Sequence, residues 1–421
     1  MKILSTHDGK VLVPMAQANG RVPEALLARE RIGLFDIRPK GSEEMHLDDF
    51  LARVRALGEE IRAQLVAMEE EINLVLAALL SGENVFFLSL PGAAKTTLAR
   101  LVSKGIDGRF FRINLNPDVS RNDLFGPLDP NALREGRWAR RLSGLARASV
   151  VNLDEMFKAS GAVLNMLLET YEEHTLTEPD AVHRLPLLLG IAASNELVNA
   201  VPRNAVWDRI LIRKEVHYPA RPEHWERLLD SGGGRRPVVT RLDPEEILLA
   251  QALIEHRAMS LPQEIKARMV RIRMQMARSG LTVSPRRFTG WARAAVAYSM
   301  LKDEREMSPK ALLIGRHILW ISLEERDEVG NIVAQISDPE RRILLTAAAD
   351  LEEIQSRIES EHNLQALVGW RTKLTKHVRI IEGKVRDPDL LAERQELLQR
   401  MQEAQARLIE RAGEVIDQRD E

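Results

Sequence analysis

The chain reads as an α/β protein in which a parallel sheet is covered by helices, followed by an all-helical domain and a C-terminal helical hairpin. Three observations predict this. Short apolar runs alternate with helix-forming runs over residues 48–230, the pattern of parallel strands joined by helical crossovers. A glycine-rich linker, Ser231-Gly232-Gly233-Gly234-Arg235-Arg236-Pro237, leads into an almost wholly helical pattern over residues 240–336. Beyond Asp338-Pro339, over residues 338–421, apolar residues recur every seven positions.

The elements follow in order. Residues 1–47 form an N-terminal extension with an expected hairpin turning at His7-Asp8-Gly9-Lys10. Apolar residues at three- and four-residue spacing predict one long amphipathic helix over 47–80. Strands are expected at Val85-Phe86-Phe87-Leu88, at Phe110-Phe111-Arg112-Ile113-Asn114, at Ser149-Val150-Val151-Asn152-Leu153 and over residues 187–193. At the C-terminal end, Leu344, Leu351 and Ile358 repeat at seven, as do Leu367, Leu374 and Ile381. Gly383 and Pro388 interrupt the run, and Leu397, Met401, Ala404, Leu408 and Val415 resume it. This reads as an antiparallel hairpin with a coiled-coil seam; an ordinary helical packing domain fits the same pattern.

Composition narrows the function. Lys plus Arg total 60 against 62 Asp plus Glu, so no global attraction to nucleic acid or anionic lipid follows. The absence of cysteine excludes disulfides, thiolate metal sites and cysteine nucleophiles, and fits a reducing cytoplasm. The longest apolar stretches, residues 74–80 and 185–193, are too short to span a bilayer. A cytoplasmic protein with no membrane partner is expected.

The most informative segment is Ser89-Leu90-Pro91-Gly92-Ala93-Ala94-Lys95-Thr96-Thr97, between an apolar strand and a helix-forming run. Such a loop cradles phosphates with its backbone N–H groups; Lys95 would reach the terminal phosphates and Thr96 would hold Mg²⁺. Ser89 and Ala94 stand where the loop pattern has its two glycines, and a Cβ at position 89 is expected to crowd the turn. Asp154-Glu155 ends the strand at 149–153, putting two carboxylates where one supports Mg²⁺ and the other polarises the attacking water. Asn195, ending a further apolar run, is a candidate to orient that water or to sense the γ-phosphate, although an Asn at a strand end is more often a turn residue. Arg209 suits phosphoryl transfer if a neighbouring subunit's γ-phosphate lies opposite it. Ser284-Pro285 suits a helix start, which puts Arg286 in the first turn, expected to aim back towards the nucleotide cleft if the domains close. The ten histidines show no paired ligand spacing, so no metal beyond Mg²⁺ is expected.

Taken in this order, these elements resemble the MoxR group of AAA+ ATPases, and within it most of all the RavA-like branch. The likeness runs over about residues 50–335: Leu79-Leu80-Ser81-Gly82-Glu83-Asn84-Val85, Leu124-Phe125-Gly126-Pro127-Leu128, Asn152-Leu153-Asp154-Glu155-Met156-Phe157-Lys158-Ala159, Ala193-Ser194-Asn195-Glu196-Leu197 and Trp207-Asp208-Arg209-Ile210-Leu211-Ile212-Arg213. The resemblance implies an AAA+ core over 48–230 and a helical lid over 240–336. Lys95, Thr96, Asp154 and Glu155 would be the Walker A and B residues, Asn195 sensor 1, Arg209 the arginine finger and Arg286 sensor 2, with Arg287 as the other candidate for that role. It implies that the segment from Asn131 to Arg141 is a helix-2 insert whose Arg134, Arg137, Trp138, Arg140 and Arg141 contact a substrate or partner. It further implies ATP and Mg²⁺, a homo-oligomer in the form of a hexameric ring, and a partner carrying a von Willebrand factor A domain. The expected function is ATP hydrolysis coupled to remodelling of a partner, slow or partner-dependent because of Ser89. A nucleotide-gated scaffold with little turnover is the alternative, and a nucleic-acid motor is disfavoured by the near-neutral charge.

Overall fold

The computed structural model describes residues 2–6, 9–13, 45–195, 207–219, 222–230, 237–304, 306–361, 363–387 and 390–420. Strand β1 (Lys2–Thr6) pairs antiparallel with β2 (Gly9–Val13) and parallel with β3 (Met45–His46). The turn residues His7 and Asp8, and the linker residues 231–236, lie outside the described residues.

The single helix expected over 47–80 is two: α1 (Leu47–Arg62) and α2 (Glu69–Ser81). Between them Ala67 adopts φ 57°, a left-handed conformation that no α-helix interior accommodates. Glu69, Glu70 and Glu71 then fill the first turn of α2, where the helix dipole favours negative charge. The helix stops at Gly82, φ 67°, a left-handed C-cap suited to glycine.

The main sheet holds five parallel strands. Their ranges are β4 (Val85–Ser89), β5 (Phe110–Asn114), β6 (Val150–Asp154), β9 (Leu189–Ser194) and β10 (Ile212–Val216), in spatial order β10-β4-β9-β6-β5. A separate antiparallel pair, β7 (Thr175–Glu178) with β8 (Ala181–Arg184), projects between β6 and β9 in the sequence. Helices α3 (Lys95–Lys104), α4 (Arg121–Phe125), α5 (Pro130–Arg134) and α6 (Gly161–Glu172) fill the connections. The chain leaves β4 for the far edge, returns through β6 and β9, and passes beyond β4 to β10. The carboxyl end of β4 is therefore the topological switch point, where ligands of open parallel sheets bind. The four expected strands are β4, β5, β6 and β9. The fifth, β10, went unpredicted because its middle residues are Arg213, Lys214 and Glu215, tolerated at a sheet edge.

Helix α7 (Pro222–Asp230) closes this part. Then α8 (Pro244–Met259), α9 (Gln263–Arg278), α10 (Pro285–Leu301) and α11 (Leu323–Ser337) pack with the sheet region in one continuous apolar core. Polar ties fix them there: Gln251 Nε2 donates to Leu79 O at 2.7 Å and Arg55 Nη1 to Met300 O at 3.2 Å.

The C-terminal part resolves into three helices where a two-helix hairpin was expected: α12 (Pro339–Arg357), α13 (Leu364–Lys384) and α14 (Leu391–Asp420). Its apolar residues form a second core cluster, in which the heptad residues Leu344, Leu351, Leu367, Leu374, Ile381, Met401 and Leu408 are all buried. Glu340 at the start of α12 accepts from the amides of Arg386 and Asp387, after the end of α13, while Arg411 in α14 donates to Glu361 O. The helices thus run up, down and up. Among the described residues no helix is long and apolar enough to cross a membrane.

Candidate active site

The loop after β4 is built around Lys95, which opens α3. Its ammonium is buried and donates to Ser89 O at 3.1 Å, to Ser89 Oγ and to Leu90 O at 3.5 Å. Burial lowers the Lys95 pKa, while the nearby carboxylates of Asp154 and Glu155 oppose that shift. Ser89 itself ends an extended strand. Within the loop it is Gly92 (φ 81°) and Ala94 (φ 54°) that adopt the left-handed conformation, so Ser89 needs no glycine-like backbone; its hydroxyl lies against the Lys95 ammonium. Strain sits instead at Ala94, where a Cβ at positive φ costs roughly 1–2 kcal/mol. Leu90, Pro91 and Gly92 form the exposed crest, Ala93 and Ala94 are half-buried, and Thr97 faces outward from the first turn of α3. The crest is tied to the end of β10 by Tyr218, whose hydroxyl donates to Pro91 O at 2.6 Å.

Beside the loop, β6 delivers its two carboxylates. Thr96 Oγ1 donates to Asp154 Oδ2 at 3.2 Å, bringing hydroxyl and carboxylate together. The same oxygen accepts from Arg112 Nε at 3.1 Å and Nη2 at 2.9 Å, and from Asn152 Nδ2 at 3.4 Å. Arg112 reaches it because β5 and β6 pair Arg112 with Asn152 in register. Sequence reasoning missed Arg112; its one visible signal is a cation set between the apolar residues Phe111 and Ile113 of a strand. Asn152 is completely buried and its Oδ1 has no partner, so the amide in this strand is half satisfied.

Glu155 lies just past the strand at φ 55°, ψ 40°. A non-glycine residue held in that region marks a geometry the surroundings impose. Asn195 Nδ2 donates to its Oε1 at 2.7 Å, and Lys158 Nζ lies 3.3 Å from Oε2. Lys95, Thr96, Asp154, Glu155 and Asn195 therefore converge at the carboxyl ends of β4, β6 and β9. Among the described residues no group of three or more His, Asp or Glu side chains is arranged to hold a metal ion.

Arg209 and Arg286 are elsewhere. Arg209 precedes β10, whose first residue Ile212 pairs with Val85, the first of β4. Asn84, just before β4, donates to Tyr171 O at 3.4 Å, so the end of α6 also lies at the amino ends of the strands. There Glu172 takes Arg209 Nε on Oε2 at 2.5 Å and Arg286 Nη2 on Oε1. Four strand rises, roughly 13 Å, separate this end of β4 from the loop. Arg286 was expected to aim towards the nucleotide cleft on closure of the domains; here it sits at the amino ends of the strands, beside Arg209. The reason is tertiary: α10 docks its N-terminus against α6 and the Trp207–Arg209 turn. A cavity of about 300 Å³ adjoins the pair, lined by Glu83, Tyr171, Glu172, Asp208, Arg286 and Arg293 among others.

Arg287 has no exposed surface. It donates to the carbonyls of Ile318, Trp320 (3.2 Å), Ile210 (3.4 Å) and Trp207 (3.5 Å), and pairs with Asp208 Oδ1 at 3.1 Å. Burial pushes its pKa down to about 10 against the pull of Asp208. Between the two lid arginines, only Arg286 is presented to solvent. In the insert, the turn at Glu135-Gly136 follows the short helix α5, with one antiparallel bridge, Leu128 with Arg140, closing the base. Arg140 is withdrawn from the contact surface expected for it, buried against Glu178 of β7 at 2.8 Å. Arg134, Arg137, Trp138 and Arg141 stay exposed.

Comparison with known proteins adds to this geometry. The family described as the MoxR domain in the MoxR-vWA-beta-propeller ternary systems matches residues 52–251. An uncharacterized protein of Methanocaldococcus jannaschii, MJ0812, is 30% identical over 283 residues, covering 66% of this chain and 74% of that protein. The chaperone MoxR1 of Mycobacterium tuberculosis is 27% identical over 179 residues, 41% of this chain and 46% of that one. A crystal structure from Cytophaga hutchinsonii, assigned as an ATPase, superposes with a TM-score of 0.56 at 19% identity, over 68% of this chain and 94% of that one, a likeness of fold.

Proposed function

Because this chain belongs to the MoxR group of AAA+ ATPases, we propose that it hydrolyses ATP to ADP and phosphate and uses the turnover to remodel or activate a partner protein. The observation that carries this reading is the 2.7 Å contact of Asn195 Nδ2 with Glu155 Oε1, next to the loop that holds Lys95. An amide anchored to a strained carboxylate is the arrangement needed to hold one water for in-line attack on a γ-phosphate.

In this reading residues 89–97 bind the phosphates, with Lys95 exchanging its loop carbonyls for phosphate oxygens. Thr96 and Asp154 present the hard oxygen donors that suit Mg²⁺. Mg²⁺ bound there would supply positive charge to the phosphate oxygens as negative charge develops. Glu155 polarises the water and Asn195 fixes its position. The alternative, a nucleotide-gated scaffold with little turnover, rests on Ser89; against it, Ser89 lies in the extended strand and not at a positive-φ position of the loop.

Arg209 and Arg286 lie a strand's length from Lys95, so one chain alone leaves its own phosphates without them. That separation favours a ring, taken as a hexamer, in which both arginines serve the neighbour's γ-phosphate. The matched family's description sets MoxR, vWA and β-propeller components together. It supports a partner with a von Willebrand factor A domain. The placement in the RavA-like branch and in the cytoplasm, with domains at 48–230, 240–336 and 338–421, belongs to the same proposal.

The test is steady-state ATP turnover by the wild type and by Glu155→Gln, each with and without the partner. Turnover in the wild type that falls at least about a hundredfold in the variant is expected. A wild type without turnover in both conditions overturns the enzymatic reading.

A further inference from the structure

We propose that Glu172 is a positioning residue that sets Arg209 and Arg286 as a matched pair for the adjoining subunit. The inference rests on the reading above that these arginines act on a neighbour's phosphate.

Glu172 is the last residue of α6, and its two carboxylate oxygens are divided between the two guanidinium groups. The partners come from distant parts of the chain: Arg209 is 37 residues away and Arg286 114. It engages Arg209 through Nε, the nitrogen nearest the chain. That contact grips the guanidinium at its inner edge and restrains its plane. Arg286 is held on a second side by Asp208 Oδ2 at 3.5 Å. Asp208 is itself anchored by Arg287 and by Ser284 Oγ at 3.2 Å, the N-cap of α10. Charges therefore alternate along Arg209, Glu172, Arg286, Asp208 and Arg287, and each carboxylate separates two cations that would otherwise repel.

The position of this chain of charges matters as much as its order. At one end Arg287 is locked into buried carbonyls and holds Asp208, whereas at the other Arg286 is 42% exposed and Arg209 24% exposed. Two cations held at a fixed spacing, on a rigid support and next to an open cavity, form an anion receptor whose ordering cost is met before the anion arrives. Without the bridge, two long side chains would have to be ordered by the phosphate itself.

The proposal predicts a defect that appears in the neighbour's site. Two inactive proteins make the assay: Glu155→Gln, which cannot hydrolyse but still offers its arginines, and the double variant Arg209→Ala, Arg286→Ala, which keeps its own site but offers none. Their mixture should regain turnover, and adding Glu172→Gln to the Glu155→Gln protein should cut the regained kcat about tenfold or more. Binding of a fluorescent ATP analogue to Glu172→Gln alone, its unfolding temperature and its assembly size should match the wild type. Glu172→Asp, which keeps the charge, should recover part of the loss. If the first mixture regains nothing, the trans reading of the arginines has failed. If it regains turnover and Glu172→Gln leaves that turnover unchanged, the role of Glu172 is wrong while the trans reading stands. A loss accompanied by weaker analogue binding or a lower unfolding temperature overturns it too, since the carboxylate would then be structural.

Discussion

Asn195 and Glu155 meet at 2.7 Å across the ends of two neighbouring strands, although they are 40 residues apart in the chain. Asn195→Ala should therefore lower kcat by about ten- to a hundredfold, the loss of one hydrogen bond to a charged group aligned for attack. Affinity for a non-hydrolysable ATP analogue should stay within about twofold, because neither residue belongs to the loop. Stopped-turnover and binding measurements on one preparation check both; a large loss of affinity with kcat unchanged would contradict the assignment.

Arg112 places a cation on the same Asp154 oxygen that Thr96 contacts. A second cation nearby is opposed by it. Arg112→Ala should lower the Mg²⁺ concentration needed for half-maximal nucleotide binding several-fold. A titration showing an increased requirement would mean instead that Arg112 orients Asp154 for the metal.

Arg287→Met should destabilise the protein by about 2–4 kcal/mol, since it leaves Asp208 without its buried partner and Ile318 O without this donor, while the carbonyls of Trp207, Ile210 and Trp320 keep Arg213. Arg286→Met, at an exposed position, should cost less than about 1 kcal/mol. Denaturant melts of the two variants read the contrast directly.

Acid should weaken the packing between the sheet and the lid. Glu70 of α2 contacts His317 Nε2 at 3.0 Å, Lys214 Nζ at 2.6 Å and Arg316. Burial would raise the Glu70 pKa, but the hydrogen bond from His317 and the cations around it hold it far below the usual carboxylate range. Burial also lowers His317 from its ordinary 6.5. As pH falls through 6.5 the unfolded chain takes up a proton at His317 before the folded one does, so stability declines. Below 4.5 the unfolded chain protonates its Glu70 while the folded carboxylate stays charged, and the decline steepens. Unfolding temperature measured from pH 8 to pH 4 should show both limbs, and His317→Gln should remove the one that begins near 6.5.

Much of this protein was legible in its residues because the signals are local. Four strands of the main sheet, the loop at 89–97 and the acidic pair follow from apolar runs and neighbouring residues. So do the heptad stripes, whose members all end in the second core cluster. Local signals failed where a conformation or partner is imposed from elsewhere. The break at Ala67 interrupts a pattern that reads as continuous, and β10 hides its strand character behind three charged residues. Hairpin β7–β8 and the third C-terminal helix likewise emerged only in three dimensions.

By itself, then, the sequence determined the α/β class and singled out the loop at 89–97 and the side chains proposed to act on a phosphate. Tertiary structure decided how those residues divide. Lys95, Thr96, Asp154, Glu155 and Asn195 gather at the carboxyl ends of the strands; Arg209 and Arg286 share Glu172 at the amino ends. The physical reason is that residue type and spacing set what a side chain can do, whereas its electrostatic partner is set by which distant segments pack together. Arg286 and Arg287 are adjacent in sequence, yet one faces solvent and the other is sealed among carbonyls. Only the docking of α10 against the sheet distinguishes them.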